Sequence, residues 1–205
     1  MARENLKSPF NPHQQSVGLD HKIVVTLEKF AEVFRVLLWE QAKENRLSPI
    51  QLQILLFLNF HSADQRKVAY LAKEFNMTKA TISDAVKSLI NKEMIVKKVD
   101  KADTRSFFLN LTSAGKKATE RTALFSGALQ ASIAELDGKE KENLFRSLFK
   151  VIQSLNQKGI VSLQRMCFSC RFYEGDRENK HFCQFLNLPL KGAELRVDCP
   201  EHEPS

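Results

Sequence analysis

Apolar positions recur at intervals of three and four over most of the chain, and two short stretches break that rhythm. From about His21 to Glu44 they fall at Ile23, Leu27, Phe30, Ala31, Phe34, Leu37 and Leu38. That spacing lays one stripe along a long helix. Ser48-Pro49-Ile50-Gln51 reads as a capping box with proline at the first helical position, opening a short, strongly apolar helix to about Phe60. Two compact helical patterns follow, Val68–Phe75 and Lys79–Lys92, separated by Asn76-Met77-Thr78. Ile95–Val99 and Phe107–Leu111 are short, rich in β-branched or aromatic residues, and bracket a polar turn, so they are expected strands. Thr112 caps a further helix expected to run to about Glu135. Asp137-Gly138 breaks the chain, and a last helix reaches about Gln157. The first eighteen residues, with Ser8-Pro9 and Asn11-Pro12, are expected to form a loose arm.

Helix, turn, helix, strand, charged hairpin, strand is the order of a winged helix-turn-helix, so the fold class expected is mostly α with a small β-wing. In the second helix of the pair, Ile82, Ala85, Val86 and Leu89 share a face that would pack on the first. The opposite face and its shoulders carry Lys79, Thr81, Ser83, Asp84, Lys87 and Asn91. These short polar and long cationic side chains are the types that reach base edges and phosphates in a major groove. Thr78 is the expected N-cap, and the positive helix end would face phosphate. The hairpin tip holds Lys101, Asp103 and Arg105. An arginine there can enter a minor groove, steadied by the aspartate two residues before it. A solvated amphipathic helix and an exposed ion pair are the plain counterparts of these two readings.

Charge strengthens the first reading. The 205 residues carry a net +7. Between His61 and Lys117 twelve basic residues face six acidic ones, whereas the last 45 residues are close to neutral. A basic middle suggests a polyanionic partner, here double-stranded DNA. The longest apolar run, around Ile54–Leu58, is far shorter than the ~18 residues of a membrane span, so no membrane segment is expected. The opening residues lead into no apolar signal core, which points to the cytoplasm. Phosphate-loop, dinucleotide-binding, zincin and nucleophile-elbow patterns are all missing from the sequence, so the chain is not expected to be an enzyme. Trp39, on the first long helix, is expected to pack at a helix interface.

Arg66-Lys67-Val68-Ala69-Tyr70-Leu71-Ala72 through Lys97, then Asp103-Thr104-Arg105, then Leu109-Asn110-Leu111-Thr112-Ser113-Ala114-Gly115, resembles the MarR family of bacterial transcriptional regulators. The D-x-R of the wing and the L-T-x-x-G after it are the most specific features, and the resemblance spans roughly residues 20–155. It implies a homodimer on pseudo-palindromic DNA, joined through interlocked first and last helices, acting as a repressor and answering to a small-molecule effector. It also implies that residues in register with Thr81, Ser83, Asp84 and Lys87 lie in the major groove and that Arg105 enters the minor groove. Two features depart from the family pattern. The second wing position, often basic, is Thr104, and about 45 residues follow the winged core.

Those residues hold all four cysteines: Cys167 and Cys170 as a C-x2-C pair, Cys183 after twelve intervening residues, and Cys199 after fifteen more. A segment this short is expected to need a cross-link or a metal in order to fold. In a reducing compartment four thiolates on one centre answer that need better than disulfides. A structural Zn2+ is the first expectation. A [4Fe-4S] cluster is the alternative, with Cys199-Pro200 resembling some cluster ligands, and free redox-active thiols stay open. His181 and His202 are read as surface residues. The expected organisation is therefore an arm over residues 1–18, a winged-helix and dimerisation domain over 19–160, and a metal-bound four-cysteine module over 161–205. Other readings of the chain are a metal- or redox-sensing regulator, a winged-helix protein-interaction module that does not bind DNA, and an electron carrier built on the tail.

Overall fold

The computed structural model describes residues 7–14, 18–100, 106–162 and 165–205. Its helices are α1 (Leu19–Glu44), α2 (Pro49–Phe60), α3 (Val68–Glu74), α4 (Lys79–Asn91), α5 (Ser113–Thr122), α6 (Gly127–Ala134) and α7 (Gly138–Gln157). Strands β1 (Ile95–Val99) and β2 (Phe107–Leu111) form the wing. In the tail, β3 (Tyr173–Gly175), β4 (His181–Cys183) and β5 (Leu188–Leu190) form a second antiparallel sheet in that order. The fold is mostly helical with a small β-wing, as the periodicity predicts.

Local chemistry sets these boundaries. Ser48 and Gln51 make the expected reciprocal capping box on α2, and Thr78 and Thr112 cap α4 and α5 through the backbone N–H three residues on. Helices α1, α3 and α4 all stop the same way. Arg46, Asn76 and Glu93 take left-handed φ values of 55°, 50° and 57°. The following N–H groups of Leu47, Met77 and Met94 then reach back to Ala42, Ala72 and Leu89 at 2.8–3.0 Å. Each such bond satisfies a carbonyl that the helix end would leave open. The core is filled by Leu52, Ile54, Leu55 and Leu58 of α2, Leu71 of α3, Ile82, Val86 and Leu89 of α4, Ile95 and Leu109, all at most 2% exposed. The inward face read for α4 is therefore its buried face.

The wing pairs Ile95 with Leu111 and Val99 with Phe107 at its two ends. Its outer end closes where Asp100 N–H donates to Ser106 O and Lys67 Nζ holds the Asp100 carboxylate at 2.9 Å. The tip residues Lys101, Asp103 and Arg105 lie outside the described residues.

Three expectations are corrected. The helix read from Thr112 to about Glu135 is two helices with a turn at residues 123–126. Buried Thr119 and Thr122 turn their hydroxyls back onto the carbonyls of Gly115 and Ala118, a competition with the helical ladder that favours a bend. Phe125 then packs edge-on to Phe34 of α1 with ring centres 5.2 Å apart. The tail, too, does not rest on its own apolar content alone. Met166, Phe168 and Leu195 form a second small core with Phe149 of α7, joined by Phe145 and Ile152. His181 lies inside this module, bonded to the Tyr173 hydroxyl at 2.8 Å, so it is not the surface residue expected.

Much apolar surface is left open. On α1, Ile23, Phe30, Val33 and Phe34 are exposed, and Trp39 is 59% exposed where an interface was expected to cover it. Helix α7 carries two neighbouring stripes. Phe145, Phe149 and Ile152 face the tail, while Leu144, Leu148 and Val151 face outward.

The L-T-x-x-G stretch has a steric reason. Thr112 Oγ1 accepts from Gly115 N–H and donates to the carbonyls of Glu93 and Met94, tying the start of α5 to the end of α4. A Cβ on Gly115 would sit 2.0 Å from the Met94 carbonyl oxygen. Gly115→Ala is therefore expected to destabilise the chain by about 3 kcal/mol, the upper range for overpacking. An unchanged urea midpoint for this variant would contradict the close approach.

Candidate nucleic-acid interface and four-cysteine module

Helix α4 presents its polar face to solvent because its apolar residues are spent on α2 and α3. Lys79, Thr81, Asp84 and Lys87 are exposed, and Ser83 is half-buried on the shoulder. Thr78 accepts from Thr81 N–H at 3.1 Å and shares a hydroxyl bond with the Thr81 side chain at 2.8 Å. The first turn is thus pinned while its other N–H groups stay available to an anion. Lys87 and Asp84 lie 3.5 Å apart and are both largely exposed, so the contact is weak and leaves each side chain free to reorient.

Not all of the basic segment is available to a partner. Arg66 donates through Nε to His61 O at 2.7 Å, and Lys92 donates to Arg46 O at 2.6 Å and to Gln51 Oε1 at 3.0 Å. Lys67 is bound to Asp100, as above. These three cations brace the fold, a role that charge counting along the chain does not reveal. Lys73, Lys79, Lys87, Lys97, Lys98, Lys116 and Lys117 remain exposed.

In the tail, the structure brings Cys167, Cys170, Cys183 and Cys199 to the wall of one cavity of about 250 Å³. Separate backbone contacts place each. Cys167 and Cys170 share a tight turn closed by Cys170 N–H to Cys167 O, and Cys183 stands across the sheet from Tyr173. Cys199 N–H donates to Arg165 O at 3.0 Å. The rest of the wall is largely apolar and includes Phe172, Phe182, Leu188 and Leu190, with Glu194, Arg196 and Glu201 as its charged members. Arg196 N–H donates to Cys167 Sγ at 3.1 Å. Burial pushes the Cys167 thiol up, and the three other thiols oppose its ionisation further. A bound cation would reverse that balance. Among the described residues, however, no three His, Cys, Asp or Glu side chains are placed so that they could hold a metal ion. His181 and His202 do not line the cavity.

A further cluster joins the two halves of the chain. The Arg165 guanidinium, 4% exposed, lies between Glu74 of α3 and Asp198 of the tail. It donates to Glu74 through two nitrogens at 2.9 and 3.1 Å, to the Tyr70 hydroxyl at 2.8 Å, and to both oxygens of Asp198. Burial alone would favour its neutral form, but these bonds outweigh that and raise its pKa. Asp198 also meets His61 Nε2 at 3.0 Å, and His61 stacks on Phe57 with ring centres 3.8 Å apart. That histidine contact, with Arg165, holds the Asp198 carboxyl well below the usual carboxylate range. Ser162 N–H donates to Asn76 Oδ1 in the turn between α3 and α4. Sequence reasoning missed this cluster because its partners lie far apart along the chain and form no local motif.

Comparison with known proteins agrees with this geometry. A model of the MarR family matches residues 47–106. The structure of Staphylococcus aureus MepR in complex with DNA is 25% identical, with 64% of this chain and 97% of that one covered at a TM-score of 0.58. MepR in a DNA-binding conformation is also 25% identical, covering 65% of this chain and 98% of that one at 0.58. MepR described as a transcription regulator of the S. aureus multidrug efflux pump MepA is 23% identical, covering 63% and 96% at 0.50. No curated protein matches the chain. About a third of this chain thus has no counterpart in those structures. Residues 47–106 match the MarR family model, and the winged-helix fold that carries them is similar to that of MepR.

Proposed function

We propose that the chain is a DNA-binding transcription regulator of the MarR type, working as a homodimer on a pseudo-palindromic operator and acting there as a repressor. The observation that carries this reading is α4 itself. Ile82, Ala85, Val86 and Leu89 of its apolar face are buried, its first turn is capped, and Lys79, Thr81, Asp84 and Lys87 stand clear on a fold shared with DNA-bound MepR. In the proposed complex α4 lies in the major groove, with Thr81, Ser83 and Asp84 facing base edges and Lys79 and Lys87 reaching phosphates. Lys101, Asp103 and Arg105 of the wing tip face the neighbouring minor groove. The open stripes on α1 and on the outward side of α7 form the dimer interface, and the twofold axis matches the operator. The four cysteines that share one cavity wall supply the donors of a metal centre. A small-molecule effector and a cytoplasmic setting complete the reading.

Selection from randomised duplexes should return an inverted repeat with half-site centres about one turn, ~10 base pairs, apart. Affinity should fall steeply with salt as Lys and Arg displace condensed counterions. Lys87→Ala should weaken binding evenly across sequences and reduce the salt slope by about 1. Arg105→Ala should weaken it with little change in thermal stability. Absence of any selected duplex would favour a protein-interaction module instead.

Sedimentation at micromolar concentration should give a dimer. Trp39→Lys, Phe30→Asp and Leu148→Asp substitutions should shift it toward monomer and cost DNA affinity in step. A monomer with intact operator binding would contradict the assembly.

A further inference from the structure

The tail is more than an appendage, because it is built onto the helix-turn-helix at the turn that sets the position of α4. We infer that the four-cysteine cavity takes an iron–sulfur cluster and that the occupied module tightens DNA binding through the Arg165 contacts to α3. This rests on the regulator reading above.

Donor placement and lining favour a cluster over an ion. A zinc ion held by four sulfurs at about 2.3 Å draws them to roughly 3.8 Å from one another. Here the four cysteines share the wall of one cavity with ten other residues, and no three of them are grouped so that they could hold one ion. The wall between the thiols is mostly aromatic and aliphatic, and one sulfur already accepts a backbone N–H, both features by which proteins stabilise and tune iron–sulfur centres. Ligation converts the thiols to thiolates, with their protons passing to solvent.

The route from the cavity to the DNA-reading helix is short and made of strong contacts. Cys199 is fixed by the backbone of Arg165, and its neighbour Asp198 accepts from the Arg165 guanidinium. The same guanidinium grips Glu74 and Tyr70 on α3, while His61 at the end of α2 binds Asp198 from the other side. Ser162 reaches the α3–α4 turn at Asn76. A filled cavity orders Cys199 and Asp198 and so fixes both ends of this clamp. An empty one lets the tail loosen and leaves α3 and the turn to be ordered only when DNA arrives. Ordering in advance lowers the cost of binding.

Full-length protein purified without oxygen should contain ~4 iron and ~4 sulfide per chain and absorb in the visible range. It should bind its selected duplex more tightly than the same protein after iron is stripped with ferricyanide and EDTA, by on the order of tenfold. Cys183→Ser should behave as the stripped form. Glu74→Ala should melt at a lower temperature, because Arg165 loses a buried partner, yet keep its iron, bind as weakly as stripped protein, and lose nothing more on stripping. Glu74→Gln, which retains one acceptor, should fall between. One zinc per chain with no iron overturns the cluster. Full iron with the same affinity before and after stripping overturns the coupling, as does a Glu74→Ala variant that still responds to stripping. If neither form selects a duplex, the regulator reading itself fails, and the proposal with it, whatever the iron content.

Discussion

A buried guanidinium constrains everything around it. Arg165 is 4% exposed, and desolvating a cation costs several kcal/mol unless charges and acceptors replace the water. Glu74, Tyr70 and Asp198 do so from two directions, with Phe57 and Tyr70 rings alongside. The winged helix supplies half of the compensation and the tail the other half. Neither part can move away without leaving a charge stranded, so the two are held in one register.

That constraint gives meaning to the division of labour on α7. One stripe of this helix, through Phe145, Phe149 and Ile152, receives the tail, and the adjacent stripe, through Leu144, Leu148 and Val151, is left for another surface. A helix whose apolar residues exceed what one side can cover is thereby able to carry an intrachain module and an interchain contact together. The basic segment is divided in the same way. Arg66, Lys67 and Lys92 hold the wing and the helix ends, and the remaining lysines face solvent where a phosphate backbone could meet them.

The winged core was legible in the sequence because its signals are local. Ser48 and Gln51 are three residues apart, Thr78 and Thr112 each cap the helix beside them, and the buried face of α4 repeats at helical spacing. The break after α5 was not legible, since it depends on Thr119 and Thr122 being buried, which spacing alone does not reveal. The tail was legible only as chemistry. Four cysteines confined to one segment stand out and do line one cavity, but strands of three residues carry no periodicity, and contacts such as His61 to Asp198 join residues too distant to suggest one another. His181 was misread for the same reason, because its burial comes from a sheet that the sequence pattern does not outline.

The tail grips the helix-turn-helix through Arg165, and amide hydrogen exchange reads this grip without any need for DNA. Exchange across Val68–Glu74 and the Asn76 turn should be slow in anaerobically purified protein. It should become several-fold faster once iron is stripped, while the α2 core around Leu52–Leu58 stays protected. Identical exchange at α3 and the turn in the two forms would contradict the account.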